Sequence, residues 1–156
     1  MRDDGPTALV FSRQSLEPAI RDDEQVALIS KGGYVLLDHP DPKLLFIATG
    51  SEVNIAIQAA RELKVAGISA RVVSMPCAEL FCLQDKEYRD RVLPPNLSNR
   101  IAIEALHKDY WYKFVGLSGI VIGMETFGES APGDVLMQEF GFTKKNLVNV
   151  AKGMLS

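Results

Sequence analysis

The sequence predicts an α/β domain of three layers, with helices on both faces of a mainly parallel sheet. The first observation behind this is Leu44-Leu-Phe-Ile-Ala48, an unbroken apolar run of the kind found in strands buried on both faces. The second lies directly after it: a tight turn at Thr49-Gly-Ser51, then a stretch from Glu52 in which Val53, Ala56, Ile57, Ala60 and Leu63 recur at helical spacing. Asn54, Gln58, Arg61 and Glu62 mostly lie off that stripe. Gly67 stands where a helix C-terminus takes a left-handed residue, and Ile68–Ser74 resumes as a strand. Strand, helix and strand within about thirty residues make a βαβ unit, which implies parallel strands and a right-handed crossover. The third observation is that the alternation continues to the end of the chain.

Before this unit, Thr7–Phe11 is a short apolar run with strand character. Glu17 to Glu24 is polar around Pro18 and reads as an exposed connection, with room for a helical turn near Glu24–Ile29. Lys31-Gly-Gly33 signals a turn into a strand at Tyr34–Leu37, and His39-Pro-Asp-Pro42 is a rigid turn because each proline fixes φ and restricts its predecessor. After the unit, Gln84–Leu93 reads as a charged helix carrying Tyr88 and Val92 on one side, stopped by Pro94-Pro95. Arg100–Ala105 and Ile120–Ile122 are strands. Ser130-Ala-Pro-Gly133 opens a helix that Phe140-Gly141 ends, since proline is tolerated in a first turn. Thr143 caps a last helix whose apolar positions are Leu147, Val150, Ala151 and Met154. The expected organisation is a compact domain from about Gly33 onward, preceded by an arm that contains Thr7–Phe11.

Composition narrows the functional classes. The chain has 156 residues, enough for one domain with a sizeable core, and is 47% apolar and 24% charged, an ordinary globular balance. A formal net charge of -3 with scattered lysines and arginines offers no basic field for nucleic acid or an anionic membrane. No apolar run approaches the roughly 20 residues of a membrane span. Met1-Arg-Asp-Asp-Gly-Pro6 lacks the apolar segment of a secretory signal. Cys77 and Cys82, without histidines near them in the sequence, make neither a zinc site nor a disulfide framework, and two reduced thiols fit a cytoplasmic protein.

Self-contained catalytic motifs are hard to find. There is no phosphate-binding G-x4-G-K-[ST] loop, and the turn after Ala48 has one glycine where a dinucleotide fingerprint needs three. Glu52 itself complements the helix dipole where a bound phosphate would otherwise sit, so it reads as a helix-start acid. His39 and His107 each stand alone; residues two apart on a helix do not face each other, which argues against a His107–Asp109 dyad. Tyr110-Trp-Tyr-Lys-Phe114 is an aromatic cluster suited to packing, in the core or against a partner. Arg13 is different in kind. It follows an apolar run directly, and α/β proteins place ligand-contacting groups at strand C-termini. Its planar fork fits a carboxylate or a phosphate, so both an ion pair and a ligand contact are open to it.

Ordered blocks then identify a family. Ser12-Arg-Gln14, Lys31-Gly-Gly-Tyr-Val-Leu36, Ala48-Thr-Gly-Ser-Glu-Val53, Ala70-Arg-Val-Val-Ser-Met-Pro76 and Tyr88-Arg-Asp-Arg-Val-Leu-Pro94 keep the order and spacing seen in transketolases. So do Trp111-Tyr-Lys-Phe-Val-Gly116, Phe127-Gly-Glu-Ser-Ala-Pro132 and Glu139-Phe-Gly-Phe-Thr143. The chain resembles the C-terminal domain of the bacterial-type enzyme, residues 33–156, plus an arm, residues 1–32, that looks like the tail of the preceding pyrimidine-binding domain and its linker. The family's G-D-G…N signature for thiamine diphosphate and its cation has no match here, nor has the upstream acid that activates the cofactor.

For a full-length enzyme the resemblance implies two-carbon ketol transfer between sugar phosphates, with thiamine diphosphate and a divalent cation (magnesium or calcium), in a cytoplasmic homodimer. For this chain it implies no catalytic, cofactor-binding or metal residues, no activity alone, and a role in folding and subunit contacts. It carries over one site residue: Arg13 matches the arginine of the family's S-R-Q motif, which contacts the substrate phosphate. The family also sharpens the sheet to about five strands, mixed, with Tyr34–Leu37 as the antiparallel edge. Glu104-Ala-Leu106 departs from the Glu-Ala-Gly common in bacterial relatives, which puts a turn there in question, and Cys77 and Cys82 fall in a variable loop. Thr7–Phe11, without the sheet of that preceding domain, is expected to be poorly packed, disordered or paired with another chain's edge. Three other readings remain open: a non-catalytic association module, the same domain from a thiamine-dependent relative such as dihydroxyacetone synthase, and a flavodoxin-like nucleotide-binding domain.

Overall fold

The computed structural model describes residues 5–12 and 14–156. The five strands are β1 (Tyr34–Leu37), β2 (Leu44–Ala48), β3 (Ala70–Ser74), β4 (Arg100–His107) and β5 (Ile120–Met124). They form one sheet in the order β1-β3-β2-β4-β5. β2 pairs in parallel with β3 and β4, and β4 with β5, while β1 runs antiparallel to β3. This is the mixed, mainly parallel α/β/α sheet expected, with the expected strand as its antiparallel edge.

Alternation along β2 builds both layers. Leu44, Phe46 and Ala48 face one helical layer, packing with Ala56, Ala60 and Leu63 of α2 (Glu52–Val65) and Leu147 and Ala151 of α7 (Lys144–Leu155). Leu45 and Ile47 face the other, where Phe81 of α3 (Ala78–Cys82), Tyr88 and Val92 of α4 (Lys86–Val92) and Phe114 of α5 (Tyr112–Val115) close the core. All five β2 residues are fully buried, which is why no polar residue interrupts the run. The small alanines of α2 let its backbone approach the sheet.

Helix ends obey their sequence signals. Thr143 caps α7 by accepting the Asn146 N–H at 3.1 Å, and Gly67, at φ +79°, terminates α2. α6 (Gly133–Glu139) starts at Pro132, as its motif requires. α1 (Asp23–Leu28) is the helical turn for which the connection left room, fixed by a capping box between Asp22 and Gln25. Gln25 also donates to the Val35 and Leu36 carbonyls, and Arg21 donates to the Tyr34 hydroxyl at 2.6 Å, so residues 21–31 are tied to β1.

Four expectations need correction. Thr7–Phe11 forms no strand: it has no regular structure and its side chains are exposed, because no sheet edge lies alongside it. The charged helix begins at Lys86 rather than Gln84, because Asp85 caps it by accepting the Tyr88 N–H at 2.7 Å. The stretch holding both cysteines is not all loop. Cys77 immediately precedes α3 and Cys82 ends it, and this five-residue helix, too short to show a period, is held by Phe81 in the core. Finally, the strand expected over Arg100–Ala105 runs on through Leu106 to His107, with a register shift against β5 after Ile103.

Candidate functional site

The sheet order fixes where a ligand-contacting edge belongs. From β2 the chain crosses by α2 to β3 on one side, then returns by α3 and α4 on the opposite face to β4 on the other. The C-terminal ends of β2 and β4 therefore flank the switch point, where open α/β sheets bind ligands. The turn Thr49-Gly-Ser51 and the segment Ala105–His107 lie there.

The arm comes to this edge. The Ser12 hydroxyl lies 3.9 Å from where a Cβ on Gly50 would stand, and Gly50 itself adopts φ +54°. Gln14 lines a groove at the ends of β4 and β5. Arg13, the sequence-derived site residue, lies outside the described residues, so the structure brings to the edge its two neighbours only.

Glu52 does more than start a helix. It is buried, one carboxylate oxygen accepting the Ala105 N–H at 3.2 Å and the other the Ser51 hydroxyl at 2.9 Å. The acid thus fills the α2 N-terminus and ties it to the end of β4. Glu104 stands next to this arrangement and accepts the indole N–H of Trp111, itself buried in the second core. Burial pushes the Glu104 carboxyl above its ordinary range, the Trp111 hydrogen bond opposes this, and the Glu52 charge adds to it. Glu52 was legible in the sequence as a helix-start acid, but its link to β4 was not, because Ala105 lies 53 residues away in the chain.

His107 and Asp109 do approach, with 3.5 Å between Nδ1 and the carboxylate, because His107 precedes a short 3-10 helix (Lys108–Trp111) rather than lying within one. Its Nδ1 accepts the Asp109 N–H at 3.4 Å, which makes His107 an exposed cap. The aromatic cluster divides: Trp111 and Phe114 are buried in the core, while Tyr110 and Tyr112 face outward. Burial, and after it the hydrogen bond that its hydroxyl donates to Glu79, raises the pKa of the Tyr110 phenol, and Lys113 lies 3.9 Å over its ring.

The groove beside Gln14 was not legible in the sequence. It encloses about 800 Å³ and is lined mainly by apolar side chains, among them Leu106, Met124, Phe127, Leu136, Met137 and Phe140. Leu106 reaches its lip because Gly123 lets the strands close up: a Cβ there would stand 2.9 Å from the Leu106 carbonyl oxygen.

A family model for the transketolase-like C-terminal domain matches residues 32–143. The chain belongs to the transketolase family. It is 55% identical over 156 residues to "Transketolase 2" of Aliivibrio fischeri, covering 99% of this chain and 24% of that protein. It is 54% identical over 155 residues to "Transketolase 1" of Escherichia coli, covering 99% and 23%. A solved structure of transketolase from Leishmania mexicana superposes with a TM-score of 0.77 at 37% identity, covering 83% of this chain and 18% of that one. The chain thus spans about a quarter of the length of the curated relatives it matches.

Among the described residues no three His, Cys, Asp or Glu side chains group to hold a metal ion, and no G-D-G…N stretch occurs in the sequence. Among them, too, no helix is long and apolar enough to cross a membrane.

Proposed function

We propose that this chain supplies the C-terminal domain of a transketolase: a cytoplasmic, homodimeric enzyme that uses thiamine diphosphate and a divalent cation to pass a two-carbon ketol unit between sugar phosphates. The observation that carries this reading is identity of about 55% to proteins named transketolase across 99% of the chain. In this division, residues 33–156 are the domain and residues 1–32 the tail of the pyrimidine-binding domain. The domain contributes folding and subunit contacts, and the chain alone neither turns over sugar phosphates nor binds the cofactor. Calorimetry with thiamine diphosphate and magnesium should give no heat with the 156-residue chain; saturable heat would overturn that part of the reading.

Arg13 contributes phosphate recognition. Its guanidinium can take two phosphate oxygens at once, a charge-assisted contact that positions the sugar without entering the chemistry. Support comes from its neighbours, since Ser12 and Gln14 lie at the C-terminal edge of the sheet. In the full-length enzyme, Arg13→Ala should weaken phosphorylated substrates more than unphosphorylated analogues, by about 1.5–3 kcal/mol. Equal losses on both would remove the phosphate assignment.

A further inference from the structure

The residues on either side of Arg13 are supported by two different elements. The Ser12 hydroxyl stands over the turn after β2, 3.9 Å from where a Cβ on Gly50 would lie. Gln14 lines the groove whose wall includes Ala105, Leu106 and His107 of β4. Both supports belong to the domain itself, and one side chain joins them. Glu52 accepts the Ser51 hydroxyl at 2.9 Å with one carboxylate oxygen and the Ala105 N–H at 3.2 Å with the other. The oxygen bonded to Ser51 lies 3.8 Å from the same point beside Gly50 that Ser12 approaches.

Starting a helix does not require this arrangement. An acid that served only the dipole of α2 could remain in water at the first turn. Glu52 is instead 4% exposed, and a buried carboxylate is tolerated only where hydrogen bonds replace its hydration. Those bonds run to the turn on one side and to β4 on the other, so the length of the side chain sets the spacing between them. The turn itself has no other means of holding its shape by side-chain bulk, since Gly50 carries none and adopts φ +54°.

We propose that Glu52 is a positioning residue for Arg13. Its carboxylate braces the turn at Thr49–Ser51 against Ala105, and so fixes the two supports between which the chain passes from Ser12 to Gln14. This role rests on the reading of Arg13 as the phosphate contact. Glu52 acts through the seat of that residue and touches neither substrate nor cofactor. A guanidinium fork that must meet two phosphate oxygens at once is sensitive to where its backbone is held.

Steady-state kinetics of the full-length enzyme test this, with a ketose phosphate compared with the same ketose lacking its phosphate. Glu52→Ala should raise KM for the phosphorylated ketose roughly tenfold and change KM for the other much less. Glu52→Gln keeps the length and an acceptor for the Ala105 N–H, and its amide can donate to the Ser51 hydroxyl, so most of the selectivity should return. On an Arg13→Ala background, Glu52→Ala should add no further phosphate-specific loss, because both changes act on one contact. Ser51→Ala removes one arm of the brace and leaves the acid in place; it should shift the KM ratio in the same direction, and it carries the test if Glu52→Ala disturbs the fold. An unchanged KM ratio, a glutamine variant as impaired as the alanine variant, or full additivity with Arg13→Ala would overturn the role of Glu52 while Arg13→Ala remains phosphate-selective. Equal losses on both ketoses from Arg13→Ala itself would instead remove the phosphate reading, and the role of Glu52 with it.

Discussion

Thr7-Ala-Leu-Val-Phe11 and Leu44-Leu-Phe-Ile-Ala48 are five-residue runs of similar apolar content. Leu44 through Ala48 are 0% exposed, whereas Leu9, Val10 and Phe11 are almost bare. The difference lies in what stands alongside. β2 has a hydrogen-bonded neighbour on each edge, β3 and β4, and a helical layer on each face. The arm has none of these. Strand character is thus a property of fit to a pleated, buried surface rather than of the residues alone.

The largest predicted effect falls in the buried run. Phe46 sits at the centre of β2 between two paired strands, fully enclosed by the α2 and α7 layer. Phe46→Ala should cost about 3–5 kcal/mol, read as a lower urea midpoint at unchanged slope. A cost below about 1 kcal/mol would mean that the layer collapses into the space, and the contrast with the arm would shrink accordingly.

The next effect belongs to Arg100, at the start of the strand that pairs with β2. Its guanidinium donates to the carbonyls of Leu97 (2.9 Å), Phe114 (2.8 Å), Leu93 (3.1 Å) and Pro94 (2.8 Å), and burial lowers its pKa. It knits the Pro94-Pro95 turn to the end of α5. Arg100→Lys keeps the charge but loses the planar fork, so a loss of about 1.5–3 kcal/mol is expected by chemical denaturation. Full retention of stability by lysine would show that charge alone, without fork geometry, holds this junction.

These contrasts bear on how far the residues alone reveal the molecule. The βαβ unit was legible because Leu44–Ala48 is uninterrupted and α2 has nearly four turns in which to show its period. α3 was not, because five residues cannot establish a period and only Phe81's burial shows why it is helical. The proposal for Arg13 comes only from its block, since an arginine after an apolar run suits an ion pair equally well. The groove escaped because its lining comes from β4, β5, α6 and the segments beyond them. Contacts between distant stretches leave no local pattern.

A smaller effect concerns pH at the edge where the two regions meet. Burial, reinforced by the Glu52 charge, raises the Glu104 carboxyl above its unfolded value, against the pull of the Trp111 N–H. The native state therefore holds this proton more tightly than the unfolded chain. Its contribution to stability is fully present below the unfolded pKa, about 4.3 for glutamate, and is lost as pH rises through the folded value. Glu104→Gln keeps an acceptor for Trp111 but removes the titration. The difference between the two stability–pH curves should favour the parent chain at low pH and shift toward the variant as pH rises. A pH-independent difference would assign no titration to this site.

The smallest predicted effect is in the arm itself, and its smallness is the informative part. Phe11 is exposed and no buried contact in its own molecule depends on it, so Phe11→Ser should change the stability of the dilute chain by less than about 0.5 kcal/mol. Phe46→Ala and Phe11→Ser thus mark the two ends of one scale, set by burial rather than by residue type. A loss of about 1 kcal/mol or more from Phe11→Ser, read as a lower urea midpoint at unchanged slope, would mean that the arm packs against its own molecule and that the two runs differ less than their exposure indicates.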